Sequence, residues 1–323
     1  MYSKFKILAN SNDITDLLNG RLMSLSISDE IGIVSDSLTI ELDDRDCVLD
    51  VPACGAELEV FLGYDELYSM GKFIVDEIEL KNPPQTMVIT ARASNSAFHD
   101  IGSFKSPRSY SWENYTLKGI IQTIANRYGL AYDIATDFSN IMVSHIDQTD
   151  ESDCAFIQRV ANEYNASIKI AGGKLLFISP LSGKFPDGTD LPAIPINQNI
   201  INYQMRIAER GKYKKVIAKY YDFDEATEKK VSAGTESPAF SLRDTYTNAN
   251  MALLQAKRKL KEITTGTKTL SVELIGNPLV SAESVIQVSG VRPEVAGLWV
   301  IKAAQHTLNS SGYKTRIDAV RKE

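Results

Sequence analysis

The fold is decided by two short stretches that resemble each other although they lie far apart in the chain, Leu38-Thr39-Ile40-Glu41-Leu42 and Leu270-Ser271-Val272-Glu273-Leu274. Each alternates apolar and polar side chains, which is the pattern of a β-strand that is buried on one face. Further elements follow each stretch in the same order. Because generic strands do not explain a shared order, we interpret the chain as containing an internal repeat.

The matching elements lie at comparable spacing. A proline and a later glycine are 11 residues apart after the first stretch and 12 residues apart after the second. The alternative is that two unrelated β-regions share only generic patterning. The elements after the first stretch are Pro52, Ala56-Glu57, Gly63, Gly71–Val75 and Ile89–Arg92, and their counterparts are Pro278, Ala282-Glu283, Gly290, Gly297–Ile301 and Ile317–Val320.

The middle of the chain has a different pattern, because apolar residues recur there at helical spacing. Residues 117–128 have such a face, with Thr116 as the N-cap and Gly129 just after the last turn. A second amphipathic helix is predicted over Asp153–Tyr164. In the hairpin that follows, Gly172-Gly173 permit the positive φ angles of a tight turn.

We therefore predict a mainly β protein with an α+β insertion, in which two antiparallel β-barrels flank a small α+β domain. A chain of 323 residues has room for about two or three domains. The first barrel is placed at residues 1–106, the α+β domain at 107–196 and the second barrel at 197–323. The second barrel is expected to carry one amphipathic helix, over about 249–263.

Composition indicates a folded protein and excludes several functional classes. The chain is 43% apolar and 24% charged, and its net charge of −6 argues against a general basic surface for nucleic acid. No stretch approaches the ~20 apolar residues that cross a bilayer. The N-terminus also lacks the apolar segment of a secretion signal, so we expect synthesis in soluble form in a cytoplasm.

The charge is distributed unevenly along the chain. Residues 1–110 carry 18 acidic and 9 basic side chains, whereas the remainder is mildly basic. An acidic domain surface is most often simply solvated. The functional alternative is a face that repels an anionic molecule.

The chain contains three histidines and three cysteines, which leaves little material for zinc sites or a disulfide framework. Cys47 and Cys54 are expected to be free, buried thiols, and an odd number of cysteines is typical of a reducing compartment. The motifs of esterases, phosphate-binding loops and zinc proteases are missing. We therefore predict no enzyme and no catalytic, cofactor-binding or metal-binding residues, although any acid-rich sequence could assemble the carboxylate pair of a glycosidase.

The densest polar cluster is His145–Asp153, with one histidine and four carboxylates in nine residues. Such a cluster could hold a hard cation, but it lacks the glycine and glutamate spacing of an EF-hand. We favour a capping role, because acidic side chains stabilise the positive end of the following helix and Ser152 or Asp153 can accept its free amide hydrogens. A second acidic segment, Asp43–Asp46, is interpreted as a turn.

The polar face of the predicted helix 249–263 is basic. Two interpretations stay open, a solvated face or a surface that contacts an acidic partner. The residues concerned are Lys257, Arg258, Lys259 and Lys261.

Several motifs resemble the late control protein D family of contractile-tailed bacteriophages. They span nearly the whole chain, and the most specific is Gln148–Asp153. The others are Arg108–Leu117, Ile124–Leu130, Ala155–Ile157, Lys174–Phe177, Gly71–Asp76 with Pro83-Pro84, Gly297–Val300, His306 and Gly312-Tyr313.

The resemblance implies a structural baseplate hub of a phage tail or tailocin, similar to the hub portion of the VgrG spike proteins of type VI secretion. Such hubs are homotrimers that join the six-fold tail tube to the three-fold central spike, and their barrels resemble the tube protein. The implied partners are further copies of the chain, the tail tube protein, the central spike protein and other baseplate proteins, with a tape-measure protein as a further candidate.

The resemblance implies no cofactor, no specific nucleic-acid binding and no stable membrane insertion. The implied location is the baseplate of the virion tail, after assembly in the bacterial cytoplasm. Because the chain ends about where the second barrel ends, the spike is expected to be a separate protein, and no lysozyme domain is expected.

Two other classes of function remain as alternatives, a tail-associated cell-wall hydrolase and a host-binding module at the tail tip. The acidic first domain is also a candidate lining for a channel that DNA or a tape-measure protein passes through, where negative charge prevents sticking.

Overall fold

The structure is a computed structural model that describes residues 3–32, 36–93, 104, 106–171, 173–197, 199–208, 213–265 and 268–322. It is mainly β, as the sequence predicts, with twenty-one strands and five helices among these residues. None of the described helices has the length and apolarity that a membrane span requires.

The N-terminal part is an antiparallel sheet wrapped around one apolar core. Along the sheet the strands run in the order β3-β4-β7-β6-β5-β1-β2, and inward-facing side chains of all but the shortest of these strands meet in that core. The elements are β1 (Lys4–Ala9), β2 (Asn12–Asp13), α1 (Thr15–Leu18), β3 (Leu22–Glu30), β4 (Ser37–Asp43), β5 (Glu57–Gly63), β6 (Leu67–Lys81) and β7 (Thr86–Ala93).

The middle of the chain is α+β. Strand β8 pairs with β10, and a second sheet has the order β11-β12-β9, with α2 and α4 packed on an apolar core that contains Trp112 and Phe156. The elements are β8 (Pro107–Thr116), α2 (Leu117–Arg127), β9 (Ala131–Ile134), α3 (Thr136–Ser139), β10 (Met142–Ser152), α4 (Asp153–Tyr164), β11 (Ser167–Ala171) and β12 (Lys174–Ile178).

The helix boundaries agree with the capping signals in the sequence. The Thr116 hydroxyl accepts a hydrogen bond from the Gly119 amide at 3.0 Å, and Gly129 has a φ of +64° just after α2. This backbone conformation disfavours side chains with a Cβ, so glycine suits the end of the helix.

The C-terminal part contains a second wrapped sheet in the order β13-β19-β20-β21-β18-β14. A separate unit of three strands, β16-β15-β17, packs on α5 and is inserted between β14 and β18. The elements are β13 (Ala193–Ile196), β14 (Ile200–Ile207), β15 (Lys215–Asp222), β16 (Thr227–Gly234), β17 (Ala239–Tyr246), α5 (Ala249–Thr265), β18 (Lys268–Ile275), β19 (Val285–Val288), β20 (Gly297–Asn309) and β21 (Gly312–Arg321).

The internal repeat inferred from the sequence is present as strands paired in matching register. Leu38 of β4 lies opposite Ala91 of β7, and Leu270 of β18 lies opposite Ala319 of β21. The sequence repeat matches Leu38 with Leu270, and it matches Ala91 with Ala319. The first repeat therefore has the strand order β3-β4-β7-β6-β5, and its counterpart is β14-β18-β21-β20-β19.

Irregularities of the strands recur at the same places in both repeats. The register of β6 against β7 shifts after Val75, and that of β20 against β21 shifts after the equivalent residue, Ile301. Gly71 and Gly297 precede these bulges at equivalent positions and have φ angles of +111° and +126°. Bulges and positive-φ glycines are specific backbone features, so their recurrence supports a true repeat more strongly than the strand order alone.

The pairing of β3 with β4 in the first repeat matches the pairing of β14 with β18 in the second. Leu25 of β3 lies opposite Ile40, and Tyr203 of β14 lies opposite Val272. The repeats differ at the far end, because β1 is antiparallel to β5 whereas β13 is parallel to β19.

The two repeats share one continuous sheet of thirteen strands, because β3 of the first pairs with β20 of the second. In the second repeat the two ends of the strand path, β13 and β14, are separated by only three residues of chain. Ile196 and Ile200 are therefore at most about 14 Å apart, so the sheet must curve until its two outer strands come close together. Among the described residues the strand pairings do not close a complete ring in either repeat.

Candidate functional site

The candidate functional site is the joint between the repeats, where β3 and β20 pair antiparallel over seven residues of each strand. The tip of the β20–β21 hairpin reaches beyond the joint, because Leu308 and Tyr313 belong to the apolar core of the first repeat. The Tyr313 ring lies 6.0 Å from the Tyr64 ring of that repeat. The joint therefore combines main-chain pairing with a shared core, which holds the two repeats in a fixed arrangement.

His306 is fully enclosed in the joint. Its Nε2 lies 3.0 Å from the Val280 carbonyl oxygen, and its Nδ1 lies 2.8 Å from the Tyr313 hydroxyl. A carbonyl can only accept a hydrogen bond, so Nε2 donates to Val280 and Nδ1 accepts from Tyr313. Burial lowers the pKa of His306. The imidazole is therefore a neutral structural group here, with both ring nitrogens occupied.

Carboxylates gather beside the joint, where both repeats meet the middle domain. Asp29 on β3 accepts a hydrogen bond from the Ala282 amide at 2.8 Å, and its other oxygen lies 3.9 Å from the Lys169 ammonium of β11. Burial, followed by the neighbouring Asp29, raises the pKa of Asp36 to about 7. Burial likewise raises the pKa of Glu283. Sequence reasoning missed this cluster, because its members are far apart in the chain.

The acidic cluster at the start of α4 has two separate roles. The Ser152 hydroxyl accepts from the Ala155 amide at 3.2 Å, which confirms the predicted cap. Asp153 is the first residue of α4 and does not cap it, and its carboxylate is fully buried among other side chains. It accepts hydrogen bonds from Tyr128 at 2.7 Å and from Gln148 at 2.8 Å.

Asp153 is also the anion of a buried charge network. Arg127 contacts both carboxylate oxygens at 3.1 Å, and the Arg108 Nε lies 3.3 Å from one of them. Burial alone would raise the pKa of Asp153, but the hydrogen bonds from Tyr128, Gln148 and Arg127 outweigh it and hold the pKa below its usual value. The network ties β8, β10 and α2 to the start of α4, so its role is to fix the middle domain.

Other residues singled out in the sequence lie apart from the joint. Cys47 and Cys54 are exposed, so the prediction that they are buried was wrong. They lie on a surface segment between β4 and β5, where turns leave side chains uncovered. The turn Asp43–Asp46 is held by Arg21, which contacts Asp46 at 2.6 Å. His99 lies outside the described residues, and His145 is exposed beside Asp147 at 3.0 Å.

The basic face of α5 is partly engaged within the chain. Arg258 donates to the Asn162 carbonyl at 2.7 Å, and Gln255 donates to the Glu163 carbonyl, so α5 packs on the end of α4. Lys259 pairs with Glu262 at 2.7 Å. Within the described ranges, no group of three or more His, Cys, Asp or Glu side chains is arranged to hold a metal ion.

Comparison with protein families gives one match that covers most of the chain. The profile of the family described as "Phage tail baseplate hub (GPD)" matches residues 103–312. A protein of Escherichia phage 186, named "Probable baseplate hub protein", is 30% identical over 97% of this chain and 92% of its own length.

Solved structures with the same fold come from phage tails and secretion systems. The 43 kDa tail protein of prophage MuSo2 from Shewanella oneidensis has a TM-score of 0.72 at 14% identity, over 99% of this chain and 98% of that one. The Escherichia coli c3393 protein, described as a component of the type VI secretion system, has a TM-score of 0.56 at 11% identity, over 93% of this chain and 73% of that one. At these identities the likeness shows a shared fold.

Proposed function

The chain belongs to the phage tail baseplate hub (GPD) family and is a baseplate hub protein of a contractile tail, and from that premise we propose that it works as a homotrimer that adapts the six-fold tail tube to the three-fold central spike. The proposed partners are further copies of the chain, the tube protein, the spike protein and other baseplate proteins, with a tape-measure protein as a further candidate. Assembly would take place in the host cytoplasm.

The observation that carries this proposal is the internal repeat. Two repeats with the same strand order, register and bulges stand side by side in one chain. A ring of three such chains presents six similar lobes, so a three-fold object can match a six-fold tube on one side and a three-fold spike on the other. Closed rotational symmetry is the usual form of homo-oligomers.

Light scattering of the purified full chain at high concentration tests the trimer. The proposal predicts a particle of three times the chain mass of 35.7 kDa. The measurement is repeated with purified tube and spike proteins added. A species that stays monomeric in all of these mixtures would contradict the proposed assembly.

We further propose that the mechanism is structural and not catalytic. Beside the joint, Asp36 accepts a hydrogen bond from the Glu30 amide and Asp29 accepts one from the Ala282 amide. Asp29 and Glu283 also interact electrostatically with Lys169. Burial at this packing contact is the main reason why the pKa values of Asp36 and Glu283 are raised. The hydrolase alternative is tested by zymography against peptidoglycan, in which clearing that disappears on substitution of one of these carboxylates would establish an enzyme.

The acidic first third of the chain supports a second proposal, that this part lines the central channel and repels a passing anion. A density map of the assembled ring tests it, because acidic side chains confined to the outer wall would refute it.

A further inference from the structure

The pairing of β3 with β20 within one chain suggests how two chains of the assembly pair with each other. β3 of the first repeat pairs with the second half of β20, after its bulge. The counterpart of β3 in the second repeat is β14, and the counterpart of the second half of β20 is the end of β6, Glu77–Lys81. Among the described residues, no strand pairs with the outer edge of β14 or with that of Glu77–Lys81.

We propose that the edge of β14 in one copy of the chain pairs antiparallel with Glu77–Lys81 of β6 in the next copy, and so repeats between chains the joint that β3 and β20 make within the chain. The inference rests on the proposed trimer and deepens it by naming the interface. Each chain has one edge of each kind, so the contact is head-to-tail and can close into a ring.

The register of β3 against β20 within the chain predicts the register of β14 against Glu77–Lys81 between chains. Matching the strands of the two repeats through their bulges places each residue of β20 on one residue of β6, and each residue of β3 on one residue of β14. When each residue of β20 and β3 is replaced by its match in β6 and β14, the β20–β3 pairs give the facing pairs between chains. These pairs are Glu77 with Ala208, Ile78 with Ile207, Glu79 with Arg206, Leu80 with Met205, and Lys81 with Gln204.

The side chains of these pairs suit a contact between strands. Leu80 and Ile207 are apolar strand residues that are 59% and 63% exposed in the single chain. Their counterparts in the joint between the repeats are His306, which is buried, and Asp29, which is half-buried. Pairing the edges would cover Leu80 and Ile207, which is how an exposed apolar edge is normally protected.

The charges are also complementary. Glu79 and Arg206 face each other in this register, and opposite charges on directly facing positions stabilise a strand pair. In the single chain, Glu79 contacts Lys81 of its own strand at 3.0 Å. A shift of the register by one residue would place Arg206 opposite Leu80 and would also move the apolar side chains to the other face.

Disulfide trapping tests the register directly. Facing residues of antiparallel strands have Cα atoms about 4.5–5.5 Å apart, which a disulfide can bridge. The variant carries Leu80→Cys and Met205→Cys in a full chain whose exposed cysteines are replaced by Cys47→Ser and Cys54→Ser. Mild oxidation should convert most of the protein into covalent trimers that revert to single chains on reduction. The matched control, Leu80→Cys with Tyr203→Cys, lies on the same face two residues out of register and should give at least tenfold less.

A charge exchange provides an independent readout. Glu79→Arg should weaken chain association about tenfold, and the double variant Glu79→Arg with Arg206→Glu should return it to within about threefold of the original. Lys81→Ala is the matched control for loss of the contact within β6 and should change association less than threefold. A trimer that forms without the Leu80–Met205 disulfide, or that gives the out-of-register disulfide equally well, would overturn the interface and leave the proposed trimer intact. A protein that stays monomeric would overturn both.

Discussion

Asp153 illustrates what the sequence reveals about a single residue and what it conceals. Its position at a helix start predicts a cap, and the neighbouring Ser152 does cap the helix. The full burial of Asp153 and its contacts with Arg127 and Tyr128 depend on α2, which lies 26 residues earlier. Local pattern reasoning could not see this network, because burial is decided by how distant elements pack.

Removing the Asp153 carboxylate should destabilise the middle domain. Asp153→Ala leaves Arg127 and Gln148 without their acceptor, and loss of one partner from a buried charge network costs about 2–4 kcal/mol. Urea unfolding followed by Trp112 fluorescence measures this, with Trp299→Phe as the background so that one tryptophan reports. The matched control Asp147→Ala, at an exposed pair, should change the free energy of unfolding far less, because solvent screens that pair. Equal losses in the two variants would contradict the buried network.

Asp36 should make the stability depend on pH. Its pKa is raised from 3.8 to about 7, so the folded chain holds a proton that the unfolded chain releases between these values. Stability conferred by this proton is complete below about pH 4 and is lost as the pH rises towards 7.

The variant Asp36→Asn removes this titration. It should raise the free energy of unfolding at pH 8 by about 1–2 kcal/mol relative to the native chain, and by much less at pH 4.5. Urea unfolding at the two pH values checks it. A difference between the chains that does not change with pH would show that Asp36 ionises normally.

At the scale of elements, the sequence predicted best where one face of a strand or helix is consistently apolar. The strands β4, β5 and β7 and the helices α2 and α4 lie where the patterns placed them. β8 and β10 were missed, because most of their side chains are exposed and polar, so no alternation is visible.

Pairing partners were also harder to predict than strands. The alternating pattern of Lys215–Tyr221 predicts a strand, and the structure has one at Lys215–Asp222. It lies in the separate sheet on α5 and not in the sheet of the second repeat. Strand pairing is a long-range property that the pattern of one strand does not encode. The division at 1–106, 107–196 and 197–323 stays a prediction, as do closed barrels that resemble the tube protein.

The hairpin tip that crosses the joint should couple the stabilities of the two repeats. Leu308 is 6% exposed in the core of the first repeat, although it belongs to a strand of the second. Leu308→Ala should lower the free energy of unfolding by about 2–4 kcal/mol through lost packing and the cavity that remains. Leu298→Ala on the same strand, where the side chain is 37% exposed, should cost less than about 1 kcal/mol. Thermal unfolding that shows no difference between them would contradict the shared core.

At the scale of the whole molecule, the repeat is what connects sequence to function. Two short stretches and their order predicted it, and the matched registers and bulges of the strands confirm it. The joint between the repeats could not be predicted, because the residue pattern of β3 or of β20 does not indicate which strand it pairs with. The same holds for the edges of β14 and of Glu77–Lys81 that have no partner strand among the described residues, because these edges are defined by how distant strands pair.

Electron cryomicroscopy of the purified full-chain assembly tests the central claim most directly. Viewed along its axis, the particle should show three-fold symmetry with six similar lobes. The map should also show continuous sheet where β14 of one chain meets Glu77–Lys81 of the next. A ring whose neighbouring chains meet through other elements, or particles that contain a single chain at every concentration, would contradict it.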